Sequence, residues 1–114
     1  MIENVNNREE GEFFRQQFLD IEKTIQTMPK TYEQDGMGDN AVAHLHYFMG
    51  GYDWYITEKD MDGGTPQAFG LAKIHTAEIG YISIDELVKN GAELDLYWEP
   101  KTLAKIRQRL NTDT

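Results

Sequence analysis

A chain of 114 residues, 39% of them hydrophobic, has room for one domain with its own core and too little for two. It contains no cysteine, which removes disulfides, thiolate metal sites and cysteine nucleophiles together. The formal charge of −9, from 20 acidic and 11 basic residues, argues against direct nucleic-acid binding and against an anionic membrane partner, because both need cationic patches.

The opening stretch MIENVNNREEGEFF lacks the basic start and apolar run of a signal peptide. No apolar segment approaches membrane-spanning length, so a cytoplasmic location is expected. From Glu9 to Met28 the residues Phe14, Phe18, Ile21, Ile25 and Met28 recur at spacings of four and three, the stripe of an amphipathic helix that Pro29 ends. Asn6 or Asn7 can cap it, and Glu9, Glu10 and Glu12 suit the positive end of its dipole. The stripe reads first as a core face, and its two heptads also fit a homodimer seam.

Lys30 to Asn40 has no periodicity and predicts a loop. Next, AVAHLHYFMGGYDWYI predicts a strand from Ala41 to Met49, a Gly50-Gly51 turn and a second strand from Tyr52 to Thr57. An Asp- and Gly-rich turn from Glu58 to Pro66 leads to strands over Ala68 to Ile74 and Ile79 to Ser83. Ser83 and Glu86 form a capping box for a short helix, Ile84 to Lys89, closed by Asn90-Gly91. A strand from Leu94 to Trp98 precedes Pro100, placed at the first position of a helix with the stripe Leu103, Ile106 and Leu110. These elements predict an α+β domain: a mainly antiparallel sheet of about five strands, with the helices on one face or at its ends. A single domain spans residues 1–114, with 1–8 and 111–114 expected to be flexible.

Candidate chemistry is sparse. His44 and His46 project from one strand face and can place two imidazoles on a metal, with His75 or Glu58 as a third ligand; this opens the reading of a small metal-dependent hydrolytic enzyme. Histidines on a half-buried face more often make hydrogen bonds, so no metal and no cofactor is expected. Glu58 to Gly63 copies the first half of a calcium loop, but Phe69 falls where the bidentate acid belongs. Ser83, the only serine, is better explained as a cap than as a nucleophile. The aromatic residues of the strands have acidic neighbours, which favours core packing over base stacking.

Lys101 to Arg109 holds four basic residues and no acid, so the rest of the chain carries seven basic against 20 acidic residues. Such a body can present carboxylates to a basic protein surface, although such charge more often serves solubility alone. Candidate contacts are Glu58, Asp60 and Asp62, which the turn should expose, together with Asp53, Glu78 and Asp95.

The segments Met28-Pro29-Lys30-Thr31-Tyr32, His44-Leu45-His46-Tyr47-Phe48, Gly50 to Ile56, Phe69-Gly70, Glu78 to Ser83 with Glu86-Leu87, and Asp95 to Pro100 resemble, in order, a bacterial domain family of unknown function. The likeness covers residues 28–106. Thr31 stands where the family has Leu, and the helix before Met28 is longer than usual. The resemblance implies a home on plasmids, integrative elements or prophages. It also implies a shared surface around Asp53-Trp54, Glu78 to Tyr81 and Asp95 to Trp98, and it transfers no catalytic residue. The expected function is therefore a non-enzymatic, acidic binding module of a mobile element. Its partner is a basic protein encoded by host or element, and one form of it inhibits a nucleic-acid-binding or defence protein. A structural dimer module is the further alternative.

Overall fold

The computed structural model describes residues 5–30, 32–34, 36–60 and 67–112, the side chains of 5–11, 13, 14, 111 and 112 excepted. In chain order these form α1 (Val5–Thr27), a 3-10 turn (Gly38–Asn40), β1 (Val42–Ala43), β2 (Leu45–Met49), β3 (Tyr52–Glu58), β4 (Ala68–Lys73) and β5 (Ala77–Ile82). Then come α2 (Ile84–Lys89), β6 (Glu93–Leu94), β7 (Lys101–Thr102) and α3 (Leu103–Thr112). The protein is α+β. Five strands form an antiparallel sheet in the order β5-β4-β3-β2-β6, and β1 pairs with β7 in a separate two-stranded sheet.

Register explains how the sheet acquires two cores. Leu45, Ile56, Gly70 and Gly80 form one cross-strand row, and His46, Tyr55, Leu71 and Ile79 form the next. Because side chains alternate along a strand, successive rows face opposite ways. Leu45, Tyr47, Trp54, Ile56 and Ile82 bury with Ile21 of α1, with Met28 just after that helix and with Ile84 of α2. Tyr55 and Leu71 bury with Ala41, Ala43 and two residues of α3, Leu103 and Ile106. The helices thus serve two clusters, α1 and α2 the first and α3 the second.

Polar ties hold the elements in place. Lys59, 8% exposed, sends Nζ to the carbonyls of Ile25 and Gln26 at 2.7 and 3.0 Å, setting a cation at the C-terminal end of the α1 dipole. Gln34, in the loop after α1, donates Nε2 to the carbonyls of Val42 and Thr57 and accepts from the Val42 amide, replacing a missing strand partner for both. Gly70 lets β3 and β4 meet closely, since a Cβ there would lie 2.0 Å from the Tyr55 carbonyl oxygen. Gly50, at φ +59°, makes the two-residue turn between β2 and β3.

Several boundaries differ from expectation. α1 begins at Val5, so residues 5–8 and both candidate Asn caps lie inside the helix, where no Gly or Pro interrupts it before Gly11. Residues 111 and 112 likewise belong to α3. Residues 1–4, 113 and 114 lie outside the described residues. The strand expected over Ala41 to Met49 breaks at His44: β1 turns to β7, while the His44 amide bonds to the Ile56 carbonyl at 2.8 Å. The strand expected over Leu94 to Trp98 stops at Leu94, because the Asp95 carboxylate accepts from the Tyr97 amide and closes a turn. Pro100 precedes β7, and α3 starts at Leu103, where the Thr102 hydroxyl accepts from the Lys105 amide. Ser83 caps α2 as expected, accepting from the Glu86 amide at 3.2 Å.

Candidate functional site

On the α3 side of the sheet, one imidazole joins two aspartates. His46 pairs with Tyr55 across the β2–β3 ladder, which makes Asp53 its diagonal neighbour on the same face. The contact from His46 Nε2 to Asp53 Oδ1 is 2.8 Å. Asp95 arrives from the opposite side, carried by the short β6: its amide donates to the His46 carbonyl at 2.8 Å and its Oδ2 lies 3.0 Å from His46 Nδ1. Its Oδ1 holds the turn to Tyr97, so both carboxylate oxygens have defined work.

Aromatic walls complete the cleft. The Tyr55 ring stacks on His46 with centroids 4.7 Å apart and planes 9° from parallel, and Trp98 tilts against both. Trp98 Nε1 donates to the Ala43 carbonyl at 3.0 Å, and Lys101 Nζ sits 4.4 Å from the indole centroid. Glu99 and Tyr97 line the rim, Arg109 and Leu110 the α3 wall, and the enclosed space is about 420 Å³.

The protonation logic follows from the partners. An ionised carboxylate only accepts, so both contacts of His46 are hydrogen bonds at once when each ring nitrogen carries a proton, as in imidazolium. In this arrangement neither ring nitrogen offers a lone pair to a metal or to a substrate proton. His46 is 13% exposed and the two aspartates 29% and 26%, so carboxylate edges remain reachable from solvent.

The other sequence-based candidates are scattered. Glu78 lies on β5, the sheet edge opposite β6, where it accepts from the Thr76 hydroxyl; the shared surface expected to unite it with Asp53 and Asp95 is therefore not formed. Glu58 was expected on an exposed turn. It ends β3 instead and is only 4% exposed, because β3 runs on through a register shift between Ile56 and Glu58. Asp60 follows β3 and is half-buried, and Asp62 lies outside the described residues, as do its neighbours Met61 and Gly63 in the half calcium loop.

His44 and His46 do not combine with His75 or Glu58. Among the described residues no group of three or more His, Cys, Asp or Glu side chains is arranged to hold a metal ion. His75 occupies the bend between β4 and β5, ring edge against Tyr52. Burial lowers the pKa of His44 below its ordinary 6.5, favouring the neutral ring. Of the α1 stripe, Ile21 and Met28 are buried and Ile25 packs against them, whereas Phe18 is 59% exposed.

What the sequence reading missed is the convergence of His46 with Asp53 and Asp95. A usable signal existed for half of it. A two-residue Gly50-Gly51 loop pairs Met49 with Tyr52, and counting back along that register puts Asp53 diagonal to His46. Nothing local announces Asp95, which lies 49 residues away.

No family model, curated protein or solved structure matches this chain. No helix among the described residues is long and apolar enough to cross a membrane.

Proposed function

We propose that this chain is a non-enzymatic protein-binding module that engages a basic protein surface, with the Asp53–His46–Asp95 cleft as the point where a basic side chain docks. The observation that supports it best is the pair of half-buried aspartates held on one imidazole beside Tyr55 and Trp98. Carboxylates fixed next to aromatic faces suit a guanidinium or ammonium group. Lys101 already places such a cation over Trp98. The net charge of −9 steers a basic partner towards it. The resemblance to a domain family of mobile elements gives the reading its setting, in which the partner is a cytoplasmic protein of the host or of the element. Inhibition of a nucleic-acid-binding or defence protein is the specific form, since acidic side chains there occupy a groove built for phosphates.

The test is affinity capture from the native host with the wild-type chain and with Asp53→Asn/Asp95→Asn. A basic partner held by the wild type, lost by the variant and released as salt is raised is the expected result. A partner held equally by both proteins at high salt sinks the proposal.

A further inference from the structure

We propose that a second cleft on the α3 side, independent of the Asp53–His46–Asp95 cleft, binds a small organic cation: an amine with an apolar body, its ammonium paired with Glu58. The volume of the cleft is about 430 Å³, within the range of small-molecule sites. α3 gives Leu103 to this cleft, and Ile106 and Leu110 to the other.

Glu58 is the buried acid of this cleft. The residue lines the cleft although it is only 4% exposed. Two neutral donors reach it, the Gln34 amide at 3.4 Å and the Thr57 hydroxyl at 3.2 Å, both at the long end of the hydrogen-bond range. Among the described residues no Lys, Arg or His forms an ion pair with it. The adjacent Lys59 is turned away, with its Nζ on the α1 carbonyls. A buried carboxylate is costly without a cation, and the cleft is the open side from which one can arrive.

The remaining lining sets the ligand class. Phe69, Ile79, Leu103 and Ala41 present apolar surface, and Ile79 is 44% exposed. Tyr32 borders the cleft with φ at +76°, a left-handed conformation uncommon for an aromatic residue, and its hydroxyl is bonded to that of Tyr81. That bond, with lesser contributions from burial and from Glu58, raises the pKa of Tyr81 above its ordinary 10, so the Tyr81 hydroxyl stays uncharged at neutral pH. An apolar body with one ammonium satisfies both parts of the site. An anion of the same shape meets Glu58 and is rejected.

The probe is 2-phenylethylamine, titrated into the full chain while side-chain NMR signals of Ile79 and Leu103 are followed. The controls are 2-phenylethanol and 3-phenylpropionate. Saturable shifts with the amine, weaker ones with the alcohol and none with the carboxylate are expected. Glu58→Gln should weaken amine binding about tenfold or more, the effect of losing one charge-assisted hydrogen bond. Ile79→Lys, at an exposed edge-strand position, leaves the buried acid untouched and tethers a competing cation, so it should abolish binding. Failure of the amine to bind, equal binding of the carboxylate, or unchanged affinity in Ile79→Lys each overturns the proposal.

Discussion

The two clefts beside α3 are nearly equal in size and each contains carboxylates, yet they treat negative charge in opposite ways. In one, Asp53 and Asp95 both meet the His46 ring, and their edges stay in contact with water. In the other, Glu58 is buried with two long bonds from neutral donors and no ion pair among the described residues. A carboxylate's role is set by what its fold leaves unpaired, which residue type alone does not reveal.

The largest expected effect erases the contrast. Trp54 is 7% exposed in the cluster on the opposite side of the sheet that floors both clefts. Trp54→Ala should cost roughly 3–5 kcal/mol by leaving a cavity in that cluster. Urea unfolding followed at Trp98 near one cleft and by NMR at Ile79 near the other should give coincident transitions. Two separate midpoints would make the clefts separate folding units.

His46→Gln should act on one cleft only. It leaves two aspartates facing one another without the imidazole that bonds both, at about 1–2 kcal/mol once partial solvent screening is allowed for. Adding Asp53→Asn and Asp95→Asn should recover part of the loss. No recovery would mean that His46 stabilises by stacking on Tyr55 rather than by charge.

Glu58→Gln should lie within about 1 kcal/mol of the parent in either direction, because it removes a buried charge without breaking an ion pair. A loss as large as that of His46→Gln would make the two sites alike after all.

The smallest effect concerns His44. Its lowered pKa means that the unfolded chain takes up a proton there at higher pH than the folded chain. That stability term is complete above the ordinary value of 6.5 and is lost as pH falls from there through the folded value. His44→Leu should flatten the fall in urea midpoint on mild acidification. An unchanged slope would assign the acid sensitivity to other groups.

Much of the scaffold was legible because it is periodic. The Gly50-Gly51 hairpin, the Ser83 cap and the core half of the α1 stripe follow from spacing alone. Two strands were overread where alternation continues past a change of course. His44 keeps the phase of its neighbours while the chain passes between sheets, and Leu94 and Leu96 imitate a strand that the Asp95 turn interrupts. The clefts were less legible, since each joins residues far apart in sequence: His46 with Asp95, and Tyr32 with Tyr81. Glu58 misled because Asp and Gly follow it; its burial depends on β3 running one residue further and on Gln34 folding back over it.

Gln34 also has a chemical-ageing consequence. Its side-chain nitrogen donates to two backbone carbonyls and its oxygen accepts from one amide, so every polar atom of the amide is oriented. Deamidation there would alter almost nothing in shape, yet it would set an oxygen against the carbonyls of Val42 and Thr57, turning two attractions into repulsions. One wall of the Glu58 cleft would be released, and a second acid would be added beside the first. The lifetime of that cleft is therefore tied to the hydrolytic stability of a single amide.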